Sequence, residues 1–194
     1  MKNGMLIILS GPSGVGKGTI RKILMANHAE LNLKYSISMT TRIPRNQEVN
    51  GVDYFFVSDK EFQENLIKDN FLENACFVGH CYGTPKNYVV DLLKQGYNVL
   101  LEIEVNGAMQ IMNNWKDSDV VSIFLTTPSI EVLQERIMNR KTESPEIIAE
   151  RLAKASSELN LSSNYNYTVI NDDQNRAAEE IASILKLNID KKAQ

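Results

Sequence analysis

A glycine-rich stretch lies near the start of the chain, directly after a short apolar run. Residues 11–19 read GPSGVGKGT and contain the G-x-x-x-x-G-K pattern of a phosphate-binding loop. In such a loop the glycines let backbone N–H groups converge on phosphate oxygens, and the N-terminus of the following helix favours the same anion. The pattern predicts a nucleoside triphosphate site in which Lys17 reaches the β- and γ-phosphates. A plain glycine turn between a strand and a helix is the structural alternative.

The position after Lys17 departs from the general pattern. A Ser or Thr hydroxyl usually binds Mg²⁺ there, whereas this chain has Gly18 followed by Thr19. We therefore predict no direct protein ligand to the metal and expect Mg²⁺ to be held through waters near Thr19.

A second polar stretch covers residues 40–56, which read TTRIPRNQEVNGVDYFF. Arg42 and Arg45 lie three apart and offer planar guanidinium groups that suit a phosphate. Tyr54 can add a hydroxyl donor. Taken alone, the stretch fits a solvated loop equally well.

The elements that would position these residues alternate along the chain. Short apolar runs predict buried strands at 5–9, 99–105, 120–125 and 167–170, and Glu102 and Glu104 in the second run would share one strand face. Helical spacing begins after the glycine loop and returns at about 86–94, 128–140, 144–161 and from 171–173 to about 187, with 190–194 expected to fray. The alternation predicts an α/β fold with a parallel sheet.

Residues 35–85 interrupt this alternation. Residues 35–39, 54–57 and 71–84 favour short strands, and a capping box at Ser58 and Glu61 predicts a helix to about residue 68. We interpret this region as an inserted lobe.

Composition limits the classes of function. The 194 residues predict one domain, and the net charge of −3 argues against a nucleic-acid or membrane-surface binder. No apolar run reaches the length of a membrane span. Cys76 and Cys81 are expected to be ordinary packed thiols in a reducing compartment rather than a disulfide or a metal site, which favours a cytoplasmic protein.

Together, the loop at 11–19 and the stretch at 40–56 resemble the guanylate kinase family, whose members make GDP from GMP and ATP. The resemblance runs from Met5 to about Leu187. It implies an α/β fold with a P-loop NTPase-type parallel sheet flanked by helices, an inserted small mixed β lobe that binds GMP, and a helical lid. Within a single domain over 1–194, it implies a core at about 1–33, 86–135 and 160–194, a GMP-binding lobe at about 34–85 and a lid at about 136–159.

The resemblance also implies which residues bind GMP. The phosphate would be gripped by Arg42, Arg45 and Tyr54 with help from Tyr82, while Glu48 supports the arginines. Guanine would be recognised by Ser38, Glu73 and Thr84. Glu102 and Glu104 would contact the GMP side of the site and the water shell of Mg²⁺. A carboxylate such as Glu73 can accept from both N1–H and the N2 amine of guanine, whereas adenine presents a bare N1 acceptor there.

The ATP side follows from the same resemblance. The implied ATP contacts are Gly11, Ser13, Gly14, Val15, Gly16, Lys17, Gly18, Thr19, Arg136 and Asn171, with Asp172 near the adenine. The implied catalytic residues are Lys17, Arg42, Arg140 and Arg151, of which the last two belong to the lid. Exposed helix arginine is the alternative for Arg136, and helix capping is the alternative for Asn171 and Asp172.

The resemblance therefore implies direct in-line transfer of the γ-phosphoryl group of ATP to GMP with Mg²⁺, and it leaves the use of dGMP open. Two alternatives stay open at this point, a monophosphate kinase for another base and a non-catalytic phosphopeptide-binding module of the same fold. A homo-oligomer is also left open.

Overall fold

The computed structural model describes residues 3–77, 79–115, 120–138 and 145–193. Five parallel strands form the large sheet in the order β2-β7-β1-β8-β9. Their bounds are β1 Leu6–Ser10, β2 Leu33–Tyr35, β7 Asn98–Glu102, β8 Val120–Thr126 and β9 Tyr167–Ile170. The predicted α/β parallel sheet is confirmed.

Strand β1 lies at the centre of this sheet because both of its faces are apolar. All five of its residues are buried. Ile7 and Leu9 pack into one core cluster, and Leu6 and Ile8 pack into the other. A continuous apolar run suits a strand that is covered by helices on both faces.

A small mixed sheet holds four further strands in the order β4-β3-β6-β5. Their bounds are β3 Met39–Thr40, β4 Phe55–Phe56, β5 Phe71–Phe77 and β6 His80–Pro85. β3 pairs parallel with β4, and β6 pairs antiparallel with both β3 and β5. Because β2 belongs to the large sheet, the small sheet begins a few residues after position 34, where the lobe was expected to begin.

Helices cover both faces of the large sheet. Their bounds are α1 Lys17–Asn27, α2 Asp59–Ile67, α3 Lys86–Lys94, α4 Val105–Asn114, α5 Ile130–Met138, α6 Pro145–Leu159 and α7 Gln174–Ala193. Residues of α1, α5, α6 and α7 line one core cluster, while residues of α3 and α4 line the other. Within the described residues, no helix combines the length and the apolar character needed to cross a membrane.

The ends of two predicted elements were wrong. The strand predicted to reach residue 105 ends at Glu102, and α4 begins at Val105, so Glu104 lies at the N-cap of a helix that was not predicted. The two carboxylates therefore do not share one strand face. The expected fraying of residues 190–194 is contradicted over 190–193, because α7 continues to Ala193 and Lys192 Nζ donates to the carbonyl oxygen of Gly4 (2.7 Å).

Two helix starts test the sequence patterns. The predicted N-cap is confirmed, since Ser58 Oγ accepts from the backbone N–H of Glu61 (3.2 Å). Asp173 caps α7 by accepting from the N–H groups of Asn175 and Arg176 (3.0 and 2.9 Å).

The prediction of unpaired thiols was wrong. Cys76 and Cys81 form a disulfide, with S–S 2.00 Å and Cα–Cα 4.0 Å. The antiparallel register of β5 and β6 places the two residues directly opposite each other. Counting cysteines could not reveal this pair, because the register of the hairpin decides it. The bond also removes the support that free thiols gave to a reducing compartment.

Candidate functional site

The phosphate loop, the acidic residues and the last strand meet at one edge of the large sheet. The loop follows the carboxyl end of β1, Glu102 ends β7, and Asn171 follows β9. In open parallel sheets, ligands bind outside the carboxyl ends of the strands. The chain therefore places its phosphate loop where this architecture binds ligands.

Close packing of the loop requires glycine at two positions. Gly11 has φ +141°, and a Cβ there would lie 2.1 Å from the carbonyl oxygen of Leu125. Gly16 has φ +95°, and its Cβ would lie 2.7 Å from Asn171 Nδ2. α1 begins at the next residue, so its N-terminus opens onto the loop.

Lys17 folds back inside this loop. Its Nζ donates to the carbonyl oxygens of Gly11 (2.5 Å) and Pro12 (3.1 Å). Burial lowers the pKa of the Lys17 amine, and the negative charges of Glu102, Glu158 and Glu104 oppose that effect. The loop thus encloses a lysine amine whose charged form is favoured by nearby carboxylates.

Gly18 makes room for the carboxylate of Glu102. A Cβ at Gly18 would lie 3.3 Å from Glu102 Oε1. Glu102 Oε2 accepts from Arg21 Nε (2.8 Å), and the Arg21 guanidinium lies 4.1 Å from the centroid of the Tyr35 ring. Sequence reasoning missed Arg21, although its place one helical turn after Lys17 was a usable signal.

Arg42 and Glu48 form a two-pronged ion pair. Arg42 Nη1 and Nη2 donate to Glu48 Oε2 and Oε1 at 3.0 and 2.9 Å, and Glu48 Oε2 also accepts from the backbone N–H of Arg45 (2.7 Å). The hydrogen bond to Arg42 holds the pKa of Glu48 below its usual range. The Arg45 side chain itself is exposed.

Aromatic rings support the guanidinium of Arg42. It lies 5.5 Å from the centroid of Tyr54 and 5.8 Å from that of Phe56. Tyr82 lies edge-on to Tyr54, with 6.1 Å between the ring centroids. The structure thus brings Arg42, Tyr54 and Tyr82 together, as a phosphate grip would need.

Glu73 is a buried carboxylate that is hydrogen-bonded to Thr84. Its residue is 7% exposed, and Oε1 accepts from the hydroxyl of Thr84 (2.6 Å). Burial raises the pKa of Glu73, the hydrogen bond from Thr84 opposes that rise, and the charge of Glu104 adds to it. Gly107 of α4 lies against this carboxylate, since a Cβ there would be 2.5 Å from Oε2.

Strand β5, which carries Glu73, is fixed to α4 by two hydrogen bonds between the Asn74 backbone and the Gln110 side chain. Asn74 N–H donates to Gln110 Oε1 (3.1 Å), and Gln110 Nε2 donates back to the carbonyl oxygen of Asn74 (2.9 Å). Ser38 is half-buried just before β3, and its carbonyl oxygen accepts from the N–H of Phe55 (2.9 Å). The lobe strands are thus held in register around Glu73.

Two of the three predicted lid arginines lie within the described residues. Arg151 Nη1 donates to Ser13 Oγ of the loop (3.0 Å), and Arg136 Nη2 donates to the carbonyl oxygen of Asn171 (3.0 Å). Arg140 lies outside the described residues. Asp172 is exposed and pairs with Arg176 (2.7 Å).

Sequence reasoning also missed two charged residues of α6. Lys154 Nζ lies 2.5 Å from Glu104 Oε2 and 3.8 Å from Glu158 Oε1. Both residues lie at helical spacing from Arg151, which is the signal that could have found them.

The carboxylates near the loop are oxygen donors of the kind that Mg²⁺ prefers. No cluster of three or more His, Cys, Asp or Glu suited to a metal ion occurs in the part of the chain that the structure describes. Glu102 lies beside Gly18, and Glu104 lies beyond the end of β7, so both carboxylates are at this edge of the sheet.

Comparison with known proteins gives the same family that the motifs suggested. The sequence pattern of the family "Guanylate kinase" matches residues 3–188. The chain is 51% identical over 187 residues to guanylate kinase of Mycoplasma capricolum subsp. capricolum, which covers 96% of this chain and 62% of that protein. It is 46% identical over 183 residues to guanylate kinase of Streptococcus pneumoniae, with 94% and 86% covered.

A solved structure agrees in fold. The crystal structure of guanylate kinase from Anaplasma phagocytophilum superposes with a TM-score of 0.76 at 31% identity, covering 96% of this chain and 86% of that one. The chain spans about three fifths of the length of the first curated relatives that it matches, 62% in each case. Because the family pattern, the curated relatives and the fold all match over nearly the whole chain, this protein belongs to the guanylate kinase family.

Proposed function

We propose that this chain transfers the γ-phosphoryl group of ATP to GMP and releases ADP and GDP. The observation that carries the proposal is Glu73, a buried carboxylate oriented by Thr84, in the same molecule as a phosphate loop that holds Lys17. Membership of the guanylate kinase family supports the same reaction.

ATP is proposed to bind at the phosphate loop. The backbone N–H groups of 11–19 and the N-terminus of α1 favour its phosphates, and Lys17 would leave the loop carbonyls to reach the β- and γ-phosphates. Asn171 would act through the loop, because its side chain holds the carbonyl oxygen of Val15 (2.7 Å). The contact of Asn171 with ATP itself stays a prediction.

The GMP phosphate is proposed to bind between Arg42, Arg45, Tyr54 and Tyr82. Glu48 would keep the Arg42 guanidinium in place before GMP arrives. Pre-orientation of this kind reduces the side-chain ordering that binding requires. The arginine charges also offset repulsion between two anionic substrates.

Guanine is proposed to be read by the carboxylate of Glu73, which can accept from N1–H and the N2 amine. A hydroxyl has one proton to donate, and that of Thr84 is directed at Glu73. Thr84 would therefore act by orienting Glu73, and the hydroxyl of Ser38 is the proposed donor to guanine O6.

The reaction needs no general base, because a phosphate oxygen of GMP is already anionic. That oxygen would form a bond to the γ-phosphorus while the bond to the β–γ bridging oxygen breaks and ADP leaves. Catalysis is then positioning and charge stabilisation by Lys17, Arg42, Arg151 and Arg140, the last of which lies outside the described residues.

Mg²⁺ is proposed as the cofactor, and the residues present fit it. Mg²⁺ usually keeps several of its waters, so Glu102 and Glu104 would hold it through that water shell rather than directly. Thr19 of the phosphate loop would lie near the same shell. When bound, it would neutralise charge on the β- and γ-phosphate oxygens.

The cytoplasm is the proposed location, supported by family membership. No nucleic acid or membrane partner is proposed for a chain of net charge −3.

The test measures ADP production with ATP and Mg²⁺ from each of GMP, dGMP, AMP, UMP, CMP and dTMP. Strong activity with GMP and none with AMP or the pyrimidine nucleotides is expected. Activity with a nucleotide of another base would support a nucleoside monophosphate kinase but refute the assignment of Glu73 to guanine. A folded protein that is inactive with every acceptor would refute the proposed reaction.

A further inference from the structure

One face of α6 presents three charged side chains to the site. Arg151, Lys154 and Glu158 are spaced by three and four residues, which places them on the same side of a helix. Ala155 lies among them and is buried. Arg151 contacts Ser13 of the phosphate loop, and Lys154 contacts Glu104 beyond the end of β7. The same helix therefore touches the ATP side and the acidic residues at once.

Lys154 lies between two carboxylates of different character. The Glu104 side chain is 51% exposed and that of Glu158 is 6% exposed, while Lys154 is 30% exposed. A buried carboxylate such as Glu158 requires a nearby cation, because an isolated buried charge is strongly unfavourable. Burial raises the pKa of Glu158, and the positive charges of Lys154 and then Lys17 counter that rise. Glu158 thus gives the Lys154 amine a second, buried carboxylate at 3.8 Å.

Glu104 gains its orientation from this contact. It occupies the N-cap of α4 but makes no side-chain capping hydrogen bond there among the described residues. Lys154 Nζ instead lies 2.5 Å from its Oε2. Glu102, two residues earlier, is held separately by Arg21. Each member of the acidic pair therefore has its own cation, one from α1 and one from the lid.

We propose that Lys154 is a positioning residue that, anchored by Glu158, orients Glu104 and so couples the position of the lid helix α6 to the GMP side of the site. The inference rests on the proposed function, because it takes Glu104, whose charge acts on Glu73, to lie on the GMP side of the proposed site. Without Lys154, the negative charge of Glu104 would lose its ion-pair partner near Glu73 and the incoming anionic substrate. Loss of the lysine should therefore weaken use of GMP more than binding of ATP.

The test compares six proteins: wild type, Lys154→Gln, Lys154→Arg, Glu104→Gln, the Lys154→Gln/Glu104→Gln double variant and Lys94→Gln. Lys94 is an exposed lysine at the end of α3 that leads to the amino end of β7, at the opposite sheet edge, and serves as the matched control. Steady-state rates give kcat and KM for GMP and for ATP. Thermal unfolding of each variant separates loss of fold from loss of function.

Lys154→Gln should lower kcat/KM for GMP by about three- to tenfold, as expected for a partly exposed charge-assisted contact. Lys154→Arg should restore most of it, and Lys94→Gln should match wild type. Glu104→Gln and the double variant should be alike, because Lys154 acts through Glu104. The inference would be overturned if Lys154→Gln lowered kcat/KM for GMP by the same factor in wild type and in Glu104→Gln. It would also be overturned if Lys154→Gln had the kcat/KM of wild type.

The contact between Lys154 and Glu104 can also be tested without enzymatic activity. If wild type makes no ADP with GMP, hydrogen exchange of the α6 amides still tests that contact. Lys154→Gln and Glu104→Gln should each speed that exchange, and the double variant should speed it no further. Unchanged exchange in both single variants would overturn the inference on its own.

Discussion

Asn171 Nδ2 donates to the carbonyl oxygen of Val15 at 2.7 Å, which ties the residue after β9 to the middle of the phosphate loop. Both residues are buried. The same amide lies where a Cβ at Gly16 would be, so loop and amide are packed against each other. Asn171, which lies outside residues 11–19, therefore helps to hold the conformation of the phosphate loop.

Replacement of Asn171 by Ala should loosen this loop. A buried carbonyl left without its donor is expected to cost about 1–3 kcal/mol of the free energy of unfolding. KM for ATP should rise about fivefold or more, while KM for GMP changes less. Calorimetric unfolding and steady-state kinetics measure both. Asn175→Ala, at an exposed position of α7, is the control; equal behaviour of the two variants would contradict the assigned role.

Replacement of Glu73 by Gln should weaken binding of GMP by about tenfold or more and leave binding of ATP nearly unchanged. Gln presents an NH₂ where the carboxylate accepts, so one guanine donor loses its partner. Isothermal titration with each nucleotide separates the two sites. Glu64→Gln, an exposed change in the same lobe, is the control. Unchanged GMP affinity in Glu73→Gln would show that another residue reads the base.

The raised pKa of Glu73 should also appear in stability. A carboxyl whose folded pKa lies above its unfolded value contributes stability that is present below the unfolded pKa and is lost as pH rises through the folded pKa. Wild type should therefore lose stability relative to Glu73→Gln as pH rises from about 4 towards neutrality. Glu158, whose pKa is also raised, is present in both proteins and cancels in the difference. Melting temperatures at several pH values measure it, and a constant difference would contradict the burial of Glu73 as a charged group.

Much of the fold follows from local patterns, because four of the five strands of the large sheet, β1, β7, β8 and β9, are short and largely apolar runs. The exception is β2, which reads LKY and was not predicted as a strand. The run VLLEIEV shows where such patterns fail. Its alternation favours one strand through Val105, yet the chain turns after Glu102 into α4. Helix and strand are ambiguous in short apolar runs, and here the packing of Val105, Ala108 and Ile111 into the core decides the outcome.

The motifs of the candidate site could be predicted, but the contacts that hold them could not. Arg42 and Glu48 are six residues apart, and their pairing was expected. The pairs Arg21–Glu102 and Lys154–Glu104 join residues that only the tertiary fold brings together. The disulfide depends in the same way on the register of one hairpin.

Removal of that disulfide should destabilise the small sheet. The Cys76→Ser/Cys81→Ser double variant opens a short loop, for which chain entropy gives about 2 kcal/mol of lost stability, or about 5 °C in Tm. Binding of GMP should weaken more than binding of ATP, since Cys81 hydrogen-bonds Thr40 and Thr41 just before Arg42. The chain has two cysteines, so a reducing agent should reproduce the effect in wild type and do nothing to the double variant. An effect of reductant on the double variant would show that the bond is not its cause.

Replacement of Lys17 by Ala should remove most of the activity and leave the fold intact. The amine sits inside the loop where the β- and γ-phosphates are proposed to bind, so its loss should lower kcat by about a hundredfold or more. Because burial disfavours the Lys17 cation, its removal should not lower Tm by more than a few degrees. Lys22→Ala, an exposed change on the same helix, is the control. A Lys17→Ala protein with near wild-type kcat would mean that the phosphate loop does not hold the transferring group.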